Sequence, residues 1–104
     1  MAPVGAFIFG SVDFNWCLGE LHGLLGERVV VTIETGPGAL VAVLGGVLRS
    51  VAEVSGREFY IALVDQGDGS ASIVLVPEPV HRGARWDGGR LVLEQGRLVV
   101  SFAR

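Results

Sequence analysis

The alternation of hydrophobic and polar positions divides this chain into one short helical segment followed by strands. In residues 14–25, apolar side chains recur every three or four positions, which is typical of a helix with one buried face. Asp13 suits the N-cap of this helix, and Gly26 suits its C-terminal end. The apolar positions of the segment are Phe14, Cys17, Leu18, Leu21, Leu24 and Leu25. The first element is therefore predicted to be a helix docked against a core.

From residue 28 onward the period of the pattern changes to two, which indicates strands. Residues 28–35 place Val29, Val31 and Ile33 on one face. Residues 39–54 form a long run that a helix could also accommodate, but its five valines and the pair Gly45-Gly46 favour a long strand bent sharply in its middle. Further strands are predicted over residues 58–65 and 71–76 and in a final hairpin of residues 90–94 and 97–103.

This order of elements leaves no room for parallel β-α-β units, so the sheet is predicted to be antiparallel. Residues 77–89 contain Pro77 and Pro79 and are predicted to be the longest irregular segment. The chain is predicted to be a single mainly β domain over residues 1–104, with a short N-terminal helix before the strands. A strongly bent small barrel and a sandwich both fit this pattern.

The helix that ends in Leu24-Leu25-Gly26, the alternating residues 29–36 and the long bent strand after them resemble the Sm and Sm-like family over residues 18–76. The resemblance implies a strongly bent Sm-like or SH3-like barrel, which would carry an extra C-terminal hairpin here. It also implies pairing of edge strands into rings, and RNA binding. The family's RNA-contacting residues are missing from residues 53–58, and Arg82-Gly83 is the nearest match to its Arg-Gly signature.

Composition narrows the class of protein further. Half of the 104 residues are apolar, yet no stretch reaches the roughly 18 residues that span a bilayer. A small domain with this many apolar residues is expected to cover part of its surface with a second copy or another protein. We therefore predict a homo-oligomer, and we predict no contact with a membrane. Residues 6–9 are predicted to form an added strand or an interface element. Cys17 is the single cysteine, which excludes an internal disulfide, and a cytoplasmic location is expected.

The net charge of −3 argues against a dedicated nucleic-acid binder, so an RNA partner is disfavoured. The charge is uneven, because residues 1–79 hold three arginines against nine acidic residues, whereas residues 80–104 hold five against two. Arg82, Arg85 and Trp86 fall together in this basic part, on a segment predicted to be a loop. Arginine binds carboxylate or phosphate, and an indole ring anchors a partner, so these three residues are the candidate contact for a protein or an anion. The alternative is that Trp86 folds back over an open barrel end and that the arginines pair with neighbouring acidic residues.

Other constellations are weaker candidates for chemistry. Cys17 and His22 lie about 140° apart around a helix and so do not form a nucleophile and base. Residues 65–70 are rich in oxygen ligands but lack the spacing of a calcium loop. Zinc ligation by Cys17, His22 and His81, or catalysis by His81 with Asp87, has no supporting spacing. We therefore expect no cofactor, no metal and no enzymatic activity, and predict an oligomeric β-barrel assembly or protein-interaction module. An Sm-like RNA-binding protein is the alternative.

Overall fold

The computed structural model describes residues 13–36, 38–56, 58–77 and 79–104. Within them a helix, α1, covers residues 13–22, and seven strands follow. The prediction for residues 6–9 lies outside the described residues. The strands are β1 (Arg28–Thr35), β2 (Leu40–Glu53), β3 (Tyr60–Asp65), β4 (Ser70–Leu75), β5 (His81–Asp87), β6 (Arg90–Gln95) and β7 (Leu98–Ala103).

All seven strands belong to one antiparallel sheet in the order β4-β3-β2-β1-β7-β6-β5. The prediction of a mainly β fold with one short helix is confirmed, and the predicted strands are found within two residues of their expected bounds. The sheet is not closed by strand pairing, because β4 and β5 remain its two edges. The chain therefore forms a curved open sheet around α1.

Strand β2 holds the curved sheet together because its two halves have different neighbours. Residues 40–47 pair with β1, and residues 47–53 pair with β3. The change of partner occurs beside Gly46, which lies against the backbone of Asp65. The register then shifts between Leu48 and Ser50, as at a β-bulge. The predicted long strand is confirmed as the single strand β2, and the sharp bend predicted at Gly45-Gly46 stays a prediction.

Two contacts show how far the sheet curls. The ring centroid of Phe14 on α1 lies 5.5 Å from that of Tyr60 on β3 and 5.2 Å from that of His81 on β5. One side chain thus contacts strands near the two opposite ends of the strand order. The side-chain amide of Gln95 on β6 bonds to the backbone of residues 74 and 76, at the end of β4. The two edges thus approach each other without forming a backbone ladder.

The hydrophobic core fills the space between α1 and the inner face of the sheet. The alternation predicted for β1 is confirmed, since Val29 and Val31 are buried while Val30 is exposed. The largest fully buried side chains of the core are Leu21, Leu24, Leu48, Leu75, Leu91, Leu93 and Phe102. Burial of each such side chain contributes about 1.5 to 3 kcal/mol, so packing stabilises a short helix that contains Gly19.

The prediction of an irregular segment over residues 77–89 is wrong for residues 81–87, which form β5. Strand β5 pairs with β6 through a two-residue hairpin loop, Gly88-Gly89, whose φ angles of +60° and +83° are typical of a type I′ turn. The basic residues and the tryptophan obscured the strand, because they occupy a sheet edge where charged side chains are common. Arg82, Arg85 and Trp86 therefore lie on a strand and not on a loop.

The predicted helix of residues 14–25 is also too long. Residues 23–26 are turns, in which the N–H groups of Leu24 and Leu25 donate to carbonyl groups three residues back, at 2.9 and 3.2 Å. Such tightened bonds satisfy the last carbonyl groups of a helix. Asp13 lies inside the helix rather than before it.

Candidate functional site

The three residues singled out from sequence do not face the same way. Arg85 pairs across the ladder with Val92 and lies on the outer face of the sheet, where its Nη1 donates to Glu94 Oε2 at 2.7 Å. Trp86 pairs with the buried Leu91, so its side chain lies on the inner side, toward α1. Arg82 is exposed next to a register shift in β5. Arg85 and Trp86 therefore belong to two different surfaces.

The inner surface joins Trp86 to the helix. Its Nε1–H donates to Oε1 of Glu20 at 2.7 Å. Trp16 lies one turn before Glu20, and residues four apart on a helix are neighbours on its surface. Both indole rings are 39% exposed. The structure thus places an acidic group beside Trp86.

A second surface lies on the outer face of the central strands. Val30, Val41 and Val43 are 44%, 57% and 56% exposed. The register pairs Val43 with Thr32 and Val30 with Gly45, so these side chains share the face opposite to the buried Val29 and Val31. An antiparallel sheet normally turns a polar face to water. Here both faces of β1 and β2 carry valines.

A groove of about 350 Å³ lies where the two edges of the curled sheet approach each other. Its lining is largely apolar and includes Ile33, Ile73, Val80 and Val100. The amide of Gln95 also lines it, but this amide is already bonded to the backbone at the end of β4. None of the residues that line the groove carries a titratable side chain, so the groove offers an apolar surface but no acid or base.

The residues considered for catalysis are kept apart. Cys17 is buried in the core, whereas His22 is exposed and its Nδ1 donates to the carbonyl of Leu18 at 2.7 Å. His81 is buried at the start of β5, and Asp87 is exposed at its end, about 20 Å away along the strand. Among the described residues no three potential ligands come together to hold a metal ion.

The oxygen-rich turn after β3 is a tight hairpin. Asp65 Oδ1 accepts the N–H of Gly67 at 2.9 Å, and its Oδ2 accepts Arg49 Nε at 3.3 Å. The hydrogen bond from Gly67 and then the one from Arg49 lower the pKa of the Asp65 carboxyl. Its oxygens are thus engaged by donors, as in an Asx turn.

Burial raises the pKa of the Cys17 thiol to about 12, with a smaller contribution from the charge of Glu20. At pH 8 the thiolate fraction is then about 10⁻⁴, and the thiolate is the reactive form. We expect native protein to react with a disulfide reagent only at the rate of global unfolding. In guanidinium chloride, one thiol per chain should react at once. Complete labelling of native protein within a minute would contradict this assignment.

No protein-family model, curated protein or solved structure matches this chain. In the part of the chain that the structure describes, no helix is long and apolar enough to cross a membrane. Any function is therefore inferred from the surfaces of the domain itself.

Two features of these surfaces were not predicted. The first is the exposed valine face, although the consecutive Val29, Val30 and Val31 of β1 already indicated a strand that is apolar on both faces. The pairing of Glu20 with Trp86 had no signal, because 66 residues separate the two.

Proposed function

We propose that this domain is a non-enzymatic assembly module that associates with a second copy of itself in the cytoplasm. The exposure of Val30, Val41 and Val43 on the outer face of the central strands supports it most directly. Burying β-branched side chains between two sheets releases about 25 cal/mol for each Å² of apolar surface removed from water. If two copies are related by a twofold axis, the same valine face of each copy packs against that of the other, so one apolar face serves both partners.

The neighbouring strand extends the same apolar surface. Ala103 and Val99 on β7 pair with Val30 and Glu34 of β1, so their side chains share the outer face. Gly45, opposite Val30, adds no side chain that would shield it. The outer face of the three central strands thus carries apolar side chains on each strand, with Thr32 and Ser101 between them, and such a face is suited to face-to-face packing of two sheets.

The curved sheet is further proposed to be a small barrel of the Sm-like or SH3-like class that is completed by side chains rather than by a ladder. The bridge from Gln95 to the end of β4 and the change of partner along β2 support this class. The burial of Cys17 and the high pKa of its thiol argue against this thiol as a nucleophile.

Light scattering after size-exclusion chromatography tests self-association. The native chain should elute as an oligomer, and Val43→Glu should yield a monomer with an unchanged circular dichroism spectrum. Val74→Glu is the matched control, because Val74 is an exposed strand valine on β4, two strands away from β2. A native monomer at high concentration would overturn the proposal, as would equal dissociation by both variants.

RNA binding is the alternative function, and the exposure of Arg82 is the observation in its favour. Phosphate contacts release counterions, so true binding weakens steeply as salt rises. The absorbance ratio at 260 and 280 nm of the same purified sample measures bound nucleic acid. Co-purified RNA that Arg82→Ala releases would favour this alternative over self-assembly.

A further inference from the structure

Trp16, Glu20 and Trp86 lie together on the inner side of the sheet, next to α1. Glu20 fixes Trp86 through the hydrogen bond from its indole N–H, and Trp16 lies one helical turn from the same carboxylate. The two rings are each 39% exposed. A large aromatic ring that is held in place yet left open to solvent, as Trp86 is, is the kind of side chain that most often anchors a protein partner.

Within residues 13–36, 38–56, 58–77 and 79–104, no cation pairs with the carboxylate of Glu20. The chain pairs Asp65 with Arg49, Glu94 with Arg85, and Glu27 with Arg104. No cationic side chain among the described residues forms an ion pair with Glu20. Its Oε1 accepts the indole N–H, and this neutral donor leaves the negative charge in place.

We propose that Trp16, Glu20 and Trp86 form a docking site for an arginine side chain of a partner protein. A guanidinium group donates to a carboxylate through its fixed fork and stacks on an indole face at the same time. The complementary charge on Glu20, together with the two indoles, selects a cation over an apolar anchor. The site lies on the α1 side of the sheet, whereas Val30, Val41 and Val43 lie on the outer face. Binding at this site therefore does not depend on self-assembly through those valines.

The two tryptophans of the site are the two tryptophans of the chain, so intrinsic fluorescence reports on it directly. The native protein is titrated with the peptide Gly-Arg-Gly-Arg-Gly and with the same peptide in which citrulline replaces arginine. Citrulline keeps the shape of arginine but has no charge. We expect a saturable change of fluorescence with the arginine peptide and at least tenfold weaker binding of the citrulline peptide.

The variant Glu20→Gln separates charge from position. Its amide oxygen can still accept the indole N–H of Trp86, so the ring stays in place while the charge is lost. Binding of the arginine peptide should weaken about tenfold, consistent with loss of one charge-assisted contact. Glu53→Gln removes one negative charge from an exposed position on β2 and should leave the affinity within twofold.

Single variants show whether both rings take part. Trp16→Phe and Trp86→Phe each leave one tryptophan as the reporter, and each should weaken binding. Equal binding of the two peptides, no saturable change up to millimolar peptide, or equal weakening by Glu20→Gln and Glu53→Gln would overturn the proposal. A fluorescence change that follows protein concentration without peptide would instead identify a second copy as the occupant.

Discussion

Replacing Gly46 with alanine is expected to lower the free energy of unfolding by about 3 kcal/mol or more, because the new methyl group has no space. A Cβ atom at this position would lie 2.8 Å from the carbonyl carbon of Asp65 and 2.9 Å from Cγ1 of Val64. The first of these contacts is with backbone, so relief would require β2 and β3 to separate where β2 changes partner.

The adjacent glycine provides the matched control. A Cβ atom at Gly45 would meet only the carbonyl oxygen of Val29, at 3.7 Å, which is an ordinary contact. Gly45→Ala is expected to be neutral or to stabilise the domain by up to about 1 kcal/mol, because alanine loses less backbone entropy on folding. Urea unfolding followed by circular dichroism measures both variants. Equal stability of the two alanine variants would show that the close approach at Gly46 is not what shapes β2.

Most of the strands could be predicted because their local chemistry agrees with their environment. Residues 28–35 place Val29, Val31 and Ile33 on one face at a period of two, and β1 buries Val29 and Val31. The run of residues 39–54 indicated a long strand, which β2 confirms, and at its glycine pair a Cβ atom added to Gly46 would meet the backbone of Asp65. In these segments, side-chain periodicity and turn glycines specify the element without help from distant residues.

Strand β5 could not be predicted from its hydrophobic pattern, because its charged residues reflect exposure to solvent at a sheet edge and say little about backbone conformation. Its sequence mixes His81 and Ala84, which face the core, with arginines and an acid that face solvent. The stronger signal was the pair Gly88-Gly89 between Asp87 and Arg90, which is typical of a two-residue hairpin loop. Turn chemistry therefore indicates this strand better than its hydrophobic pattern does.

The candidate site could not be assembled from sequence because its parts meet only through curvature. Trp86 was chosen from its sequence neighbours, Arg82 and Arg85, but alternation along a strand sends Arg85 and Trp86 to opposite faces. The partner of Trp86 is a helical acid from the beginning of the chain. The sign of the charge beside the indole therefore depends on long-range packing, which periodicity does not encode.

The bridge made by Gln95 is the second long-range feature with a large energetic consequence. Its Nε2 donates to the carbonyl of Val74 at 2.8 Å, and its Oε1 accepts the N–H of Val76 at 3.0 Å. These two bonds straddle Leu75 as one residue of a neighbouring parallel strand would do. A single buried amide thus replaces a strand at the point where the sheet would otherwise leave backbone groups unpaired.

Replacing Gln95 with leucine is expected to lower the free energy of unfolding by about 2 to 4 kcal/mol, because two partly buried backbone groups lose their partners. Gln66→Leu is the control, since Gln66 is an exposed amide in the β3–β4 turn, and a change within about 0.5 kcal/mol is expected there. Thermal and urea unfolding measure both variants. A loss at Gln95 no larger than at Gln66 would mean that the seam between β4 and β6 adds nothing to stability.

The variant Gln95→Glu distinguishes the lost donor from lost packing. An ionised carboxylate can still accept the N–H of Val76, but it faces the carbonyl of Val74 with no proton to donate. The folded protein therefore favours the protonated acid, which raises the pKa of this carboxyl above its unfolded value. The stabilisation is present below the unfolded pKa and is lost as the pH rises through the folded pKa. Relative to the native chain, the variant should be most stable in acid and least stable at neutral pH. A difference in stability that does not change with pH would show that the amide acts by filling space rather than by hydrogen bonding.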